Sequence, residues 1–296
     1  MRKPAFPIHI NSEWGELKSA LVHSGENAED LDPTRWGAEI VAAHPESGRV
    51  VAEKLREEVA AFHALLRRYG VELHESPTQE GAYCQVFTRD PLFIVGKTPF
   101  IGSMGERYRD AEVSGVRQFV TQQGITTADL EDSQHGAKIE GGDVLVLSSE
   151  LVLVGNGEIT TQAGIEAFRR LLHVREGAHE RITECIPHTA LHLDCAYAPL
   201  PNGSALLAQH KLPELSVDIL SAYHDELEEL DPQEAAMGLA SNLFWLNPDT
   251  VLSSTSAPKT NQQLRHWGYE VLEVPYDQLI HTWGSVRCTV CPLERR

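Results

Sequence analysis

Two cysteines, Cys288 and Cys291, are separated by two residues in the last stretch of the chain, "GSVRCTVCPLERR" (284–296). A thiolate is both a nucleophile and a metal ligand, so the pair admits three readings. It is half of a zinc site, a redox pair, or one nucleophile with a neighbour. The partners that any of these would need lie in three other short stretches, "FTRDP" (87–91), "IEGGD" (139–143) and "HLD" (192–194).

A nucleophilic cysteine needs a site that favours its ionisation and a histidine to carry protons. Cys288 is the candidate nucleophile and His192 the candidate acid and base. Carboxylates crowded around them would raise the thiol pKa, so they make chemical sense only with a cationic substrate. A planar guanidinium is the cation that paired carboxylates hold through a fork of N–H donors. Asp90 and Asp194 are the candidate pair, and a guanidinium between them would also stabilise the thiolate. Each stretch has a plainer reading. "RDP" is a common turn, "EGGD" is a tight loop, and in "HLDC" strand alternation would put His192 and Asp194 on one face as an ordinary polar pair. A structural zinc site wants four ligands. The nearest second pair, His192 and Cys195, would point to opposite faces of a strand. A redox Cys-x-x-Cys normally opens a helix, whereas this pair lies in the last residues of the chain.

Such residues need elements to position them. "ELKSALVHS" reads as a strand. It is followed by "RVVAEKLREEVAAFHALLRRYG", in which Val51, Leu55, Val59, Phe62 and Leu66 share one helical face and Gly70 is the stop. "VELHES" returns as a strand. The order recurs at "PLFIVGKTPFIGSM" with "AEVSGVRQFVTQQG", and at "DVLVLSSELVLVGNG" with "TQAGIEAFRRLL". It recurs again at "HLDCAYAPLPNGSALLAQ", where Asn202-Gly203 signals a hairpin, and at "NLFWLNPDTVLSS" with "TNQQLRHWG" and "YEVLEVP". Five strand–strand–helix–strand units, each too small to cover its own apolar surface, fit a ring of repeats, and an ordinary α/β sheet domain fits the same periodicity equally well. The terminal "GSVRCTVCPL" would then supply a closing strand beside the first.

Composition narrows the class. With 43 acidic against 25 basic side chains the formal charge is −18, which disfavours nucleic acid; it favours approach of a small cation, and it equally fits a surface that is acidic for solubility or for a salty habitat. No apolar run has the length of a membrane span. Five sparse cysteines and a start without a signal-peptide pattern point to a reducing, cytoplasmic setting.

As a set and in this order, these stretches resemble the guanidino-group-modifying enzymes: arginine deiminases, dimethylargininases and amidinotransferases. "SEWGELKSALVH" is similar to the opening strand of arginine deiminases. "FTRDPLFIVG", "IEGGDVLVLS", "HLD" and "RCTVCPLER" follow in family order. The resemblance covers nearly the whole chain and implies one catalytic α/β domain over 1–296, the pseudo-symmetric five-bladed propeller called the pentein fold. It implies that Cys288 attacks the guanidinium carbon, that Asp90 and Asp194 hold the nitrogens, and that His192 moves protons with Glu140 supporting it. No metal or organic cofactor is implied, and a homodimer is the arrangement suggested. Arg89, Arg107, Arg109 and Arg287 are the candidate substrate-binding cations. "HLD" is unlike dimethylargininases, and Glu140 stands where amidinotransferases carry aspartate. These departures tilt the reading toward a deiminase-like hydrolase, with amidino transfer as the alternative and a binding protein without turnover as the third. Arginine deiminases also carry an extra helical domain for which this chain has no room. Ile159, in "GNGEITT", replaces the arginine that would bind an α-carboxylate, a role that Arg107 or Arg109 would have to fill.

Overall fold

A computed structural model of the chain describes residues 6–30, 50–130, 136–176, 181–236 and 240–296. The repeat predicted from the sequence is present as five three-stranded sheets. The first contains β1 (Leu17–Val22), the helix α1 (Ala52–Arg68) and β2 (Glu72–Glu75). The second contains β3 (Leu92–Val95), β4 (Thr98–Ile101), α2 (Asp110–Gln122) and β5 (Ala128–Asp129). The third contains β6 (Val144–Val146), β7 (Leu151–Asn156), α3 (Gln162–Glu176) and β8 (Ile182–Pro187). The fourth contains β9 (Tyr197–Pro199), β10 (Ser204–Leu207), α4 (Glu214–Ser221) and β11 (Glu226–Glu229). After the short helix α5 (Pro232–Ala236), the fifth contains β12 (Phe244–Asn247), β13 (Thr250–Ser254), α6 (Pro258–His266) and β14 (Glu270–Val274). The last strand, β15 (Cys291–Arg295), returns to the first sheet.

Each blade has one wiring. Its first two strands pair antiparallel, and the third pairs parallel to the middle one. A parallel return needs a crossover, and the helix of each unit provides it. Inner strands such as "LFIV" are buried at every position, because helices and neighbouring blades cover both faces. The face predicted for α1 is the one that packs: Leu55, Val59, Phe62 and Leu66 are buried. Phe62 meets Tyr276 of the fifth blade edge-on at 5.4 Å, and Val51 stands just ahead of the helix as its N-cap. Gly70 ends that helix with φ +81°, and Gly203 makes the β9–β10 turn with φ +90°. Both are backbone angles that glycine adopts without steric cost.

The apolar core is shared between blades. One cluster joins Leu21 and Leu293 of the first blade to Phe93 and Phe100 of the second and to Phe168 of the third. Another joins Leu145 to Tyr197, linking the third and fourth blades. Leu206 and Trp245 link the fourth and fifth, and Val22 with Phe244 links the fifth back to the first. These contacts close the ring. The backbone closes it as well, because β15 pairs antiparallel with β1, Leu21 opposite Cys291 and Leu17 opposite Arg295.

Chain closure therefore rests on the last strand. Deleting residues 291–296 bares one edge of β1 and takes Leu293 out of the core. The truncated protein is expected to lose its single cooperative thermal transition by circular dichroism, and an unchanged melting temperature would contradict this role.

Candidate active site

Side chains for the site come from one repeated place, the turn ahead of the first strand of a blade. Asp90 precedes β3, a turn at Gly141–Asp143 precedes β6, and a turn at Leu193–Cys195 precedes β9. Asn242 precedes β12, and Cys288 precedes β15. Pseudo-symmetry thus brings five short polar segments to the same end of the strands.

At the centre are Asp90, Glu140 and His192, all buried. His192 Nε2 is 3.0 Å from Glu140 Oε2, and its Nδ1 is 3.9 Å from Asp90 Oδ1. The backbone N–H of Gly105 donates to Glu140 Oε1 (2.8 Å), and that of Gly142 donates to Asp90 Oδ1 (3.1 Å). The two glycines of "EGGD" are required by close approach. A Cβ on Gly142 would lie 2.5 Å from His192 Nδ1, and one on Gly141 would lie 2.0 Å from the Arg89 carbonyl oxygen. A guanidinium already sits in this cluster. Arg109 Nη1 is 3.0 Å from both Asp90 Oδ2 and Glu140 Oε2. Its Nε and Nη2 donate to the two oxygens of Glu112 at 2.9 and 2.8 Å.

Charge follows from this packing. Burial opposes a charged His192, but Asp90, Glu140 and Asp143 outweigh it and raise its pKa to about 10. The imidazolium is therefore the form present at neutral pH. Burial raises Glu140, yet Arg109 and His192 overcome it and hold the carboxyl down at about 2. For Asp90 and Glu112 burial wins: Asp90 is raised, and Glu112 reaches about 7 in spite of Arg109. The donor atoms of Asp90, Glu140 and His192 lie within 4.8 Å of one another, the kind of set that holds a metal ion. Positive charge is supplied there by the Arg109 guanidinium and the His192 imidazolium.

A second buried network stands beside the first. Glu13 accepts Nη2 of Arg89 (3.2 Å) on one oxygen and Nε and Nη2 of Arg287 (3.3 and 3.2 Å) on the other. Arg287 Nη1 then holds Asp194 Oδ2 at 2.7 Å. Burial would raise Glu13, but Arg287 and Arg89 bring it down to about 2. Breaking such a buried pair by removing one partner costs about 3–5 kcal/mol, so this network fixes where Asp194 stands.

Cys288 is 7% exposed. The amide Nδ2 of Asn242 donates to its Sγ at 3.3 Å, while Asn242 Oδ1 accepts the backbone N–H of Arg287 at 2.9 Å. That second bond orients the amide with its donor toward sulfur. Burial pushes the thiol far up, Asp194 and Asp90 push it further, and the Asn242 bond pulls the other way. Cys291 is fully buried, its S–H on the Leu92 carbonyl at 3.0 Å.

The structure brings Asp90, Glu140, His192 and Arg109 together, with Cys288, Asp194 and Arg287 in the adjoining turns. Three expectations need correction. "HLDC" is not a strand: residues 193–195 form a 3₁₀ turn, so alternation does not govern where His192 and Asp194 point. Arg89 and Arg287 spend their donors on Glu13, Asp194 and the carbonyls of Gly141 and Val144, so neither faces outward as a substrate ligand. Arg107 is exposed and is not part of the cluster. Ile159 packs beside Gly105, where a Cβ would touch its methyl at 3.0 Å. Sequence reading missed Glu13 and Asn242. Both sit in segments already marked, "SEWG" and "NLFWL", and Asn242 occupies the same pre-strand position as the other site residues.

An arginine deiminase family model matches residues 83–209 and 227–295. The uncharacterized protein YkgA of Bacillus subtilis is 29% identical over 288 residues, covering 96% of this chain and 94% of that one. The arginine deiminase of Mycobacterium tuberculosis (strain H37Rv) is 28% identical over 241 residues, 71% of this chain. The chain spans 60% of that deiminase's length. Among solved structures, the N-terminal domain of ArgZ, a cyanobacterial arginine dihydrolase bound to its substrate, superposes with a TM-score of 0.79. It does so at 15% identity over 94% of this chain and 98% of that one, a likeness of fold.

The charge on His192 has a measurable consequence. Because the folded chain holds its proton more tightly than the unfolded one, its stabilising contribution is complete below about pH 6.5 and is lost as pH rises through about 10. The gap in melting temperature between the protein and its His192→Asn variant should shrink across that window. A gap independent of pH would contradict the assignment.

Proposed function

The chain belongs to the arginine deiminase family, and from that premise we propose that it is a cysteine-dependent hydrolase of a guanidino compound. The observation that carries this reading is the guanidinium already held between Asp90 and Glu140 beside a charged His192. A cluster of carboxylates that grips its own arginine in this way is chemically matched to a guanidinium substrate, which would take the place of the Arg109 head group.

The chemistry follows from the charges. Cys288 alone holds its proton, since burial and two carboxylates oppose the thiolate. A cationic substrate reverses that balance, so the thiol proton is lost to solvent as the guanidinium binds and the thiolate remains. The sulfur attacks the guanidinium carbon and forms a C–S bond. The imidazolium of His192 gives its proton to a terminal nitrogen, the C–N bond breaks and ammonia leaves. Water then attacks the amidino-thioether, neutral His192 takes the proton, and the C–S bond breaks to release a ureido product and the thiolate. Glu140 holds His192 in place through both steps, and Asn242 donates to the sulfur whenever it is anionic.

The substrate's tail is the second part of the proposal. Ile159 offers methyl groups where a carboxylate receptor would need a cation. This favours a guanidine whose tail carries no carboxylate.

Incubation with arginine, methylated arginines, agmatine and guanidino acids, with and without an added amine, tests this reading. Ammonia and a ureido product without added amine are expected, with agmatine turned over faster than arginine. Cys288→Ala should lower kcat at least a thousandfold and Cys291→Ala less than threefold. Product that appears only with an acceptor amine would make the protein an amidinotransferase. Equal loss in the two cysteine variants would return the pair to a joint role.

A further inference from the structure

Asp143 and His188 take no part in the chemistry derived so far, yet both side chains are enclosed beside it. His188 Nε2 stands 2.9 Å from Asp143 Oδ1, and neither side chain reaches solvent. The same carboxylate oxygen accepts the backbone N–H of Leu193 at 2.7 Å. Asp143 closes the turn ahead of β6, His188 follows directly on β8, and Leu193 opens the turn ahead of β9. One oxygen thus holds both ends of the 188–193 segment, and His192 is the residue just before the second end.

The neighbouring sequence is shaped to admit this pair. Gly155, late in β7, has no room for a Cβ, which would lie 2.3 Å from Asp143 Oδ1 and 2.6 Å from His188 Nε2. A Cβ on Gly157, just after that strand, would lie 2.5 Å from the His188 ring. The segment is tied down along its backbone too. The His188 N–H donates to the Asn156 carbonyl (3.1 Å) and the Thr189 N–H to that of Lys211 (2.9 Å). Among the described residues Nδ1 of His188 meets no hydrogen-bond partner, so the ring engages the protein through Nε2. The first N–H groups of a helical turn have no partner within it. Giving that of Leu193 to a carboxylate makes the bond charge-assisted, about twice as strong as a neutral one.

We propose that Asp143 and His188 are positioning residues for the reaction: His188 steers the Asp143 carboxylate, and the carboxylate fixes the Leu193 amide and with it the His192 ring. This rests on the hydrolase reading above, in which His192 gives a proton to the leaving nitrogen and later takes one from water. Both transfers need the ring within hydrogen-bond reach of the reacting atoms, and a misplacement of about 1 Å can cost about a hundredfold in rate. Glu140 holds His192 at Nε2, which fixes one point of the ring but not the backbone that carries it. The Asp143–His188 pair supplies the second point. Asp143 also joins Asp90 and Glu140 in favouring the charged form of His192, while Arg109 stands against the latter two.

Three variants test this. Asp143→Asn keeps the size of the side chain and removes its charge, His188→Gln keeps an N–H donor, and His188→Leu removes it. With a guanidine that the protein turns over, Asp143→Asn and His188→Leu should lower kcat at least tenfold with KM within threefold, and His188→Gln should keep at least a third of kcat. A second readout needs no substrate. In protein labelled with ¹⁵N at histidine, the His192 ring resonances should move in Asp143→Asn and His188→Leu and stay in place in His188→Gln, although His188 is bonded to Asp143 and not to His192. Should Asp143→Asn fail to fold, the two His188 variants decide. Unmoved His192 resonances in His188→Leu, an equal loss of kcat in His188→Gln and His188→Leu, or a raised KM with kcat unchanged would each overturn the proposal. Resonances that move as stated in a protein that turns over no guanidine would instead contradict the hydrolase reading and leave the hold on His192 standing.

Discussion

Buried carboxylates need buried cations, and the centre of this protein is organised around that need. Asp90, Glu112 and Glu140 surround one guanidinium, that of Arg109. Glu13 and Asp194 share another, that of Arg287, with Arg89 as a third partner. Left unpaired, any of these charges would cost several kcal/mol inside the fold. Arg109 differs from Arg287 in its neighbours. It touches Glu140, which in turn holds His192, whereas Arg287 ties Asp194 to Glu13 and to the backbone at Val144. One guanidinium is therefore part of the scaffold, and the other belongs to the cluster that holds His192.

The ring makes this concentration of charge tolerable. Its blades share apolar clusters on all sides, so the turns ahead of the inner strands are anchored by packing that the polar network need not supply. Close approach then sets the sequence of the turns. Gly142 lies against the His192 ring and Gly141 against the Arg89 carbonyl, and neither place has space for a Cβ. Gly284, four residues before Cys288, is pressed against the ring of Phe87 in the same way. "EGGD" therefore reads as a packing requirement as much as a loop.

Much of this was legible in the residues. Period and turn signals located the five units, the face of α1 and the turn at Asn202-Gly203, because apolar spacing and glycine placement are local properties. His192, Glu140, Asp90 and Cys288 were legible as types, because a cationic substrate is what makes carboxylates beside a thiol sensible. The state of the arginines was not legible. Arg89, Arg107, Arg109 and Arg287 look alike as sequence, and only three-dimensional pairing separates a strut such as Arg287 from the cluster's own cation, Arg109. Glu13 was missed because its partners, Arg89 and Arg287, lie far along the chain. "HLDC" was misread as extended because three residues carry too little pattern to tell a strand from a 3₁₀ turn.

Turnover as proposed requires a covalent bond between the Cys288 sulfur and the guanidinium carbon, and mass spectrometry can detect that bond. Protein mixed with a guanidine that it turns over would be quenched in acid within one turnover, digested, and the C-terminal peptides weighed. The expected adduct is the substrate less ammonia, its tail retained, on Cys288, with none on Cys291 and none at all in the Cys288→Ser variant. An unmodified Cys288 throughout turnover, or the same adduct on another residue, would contradict it.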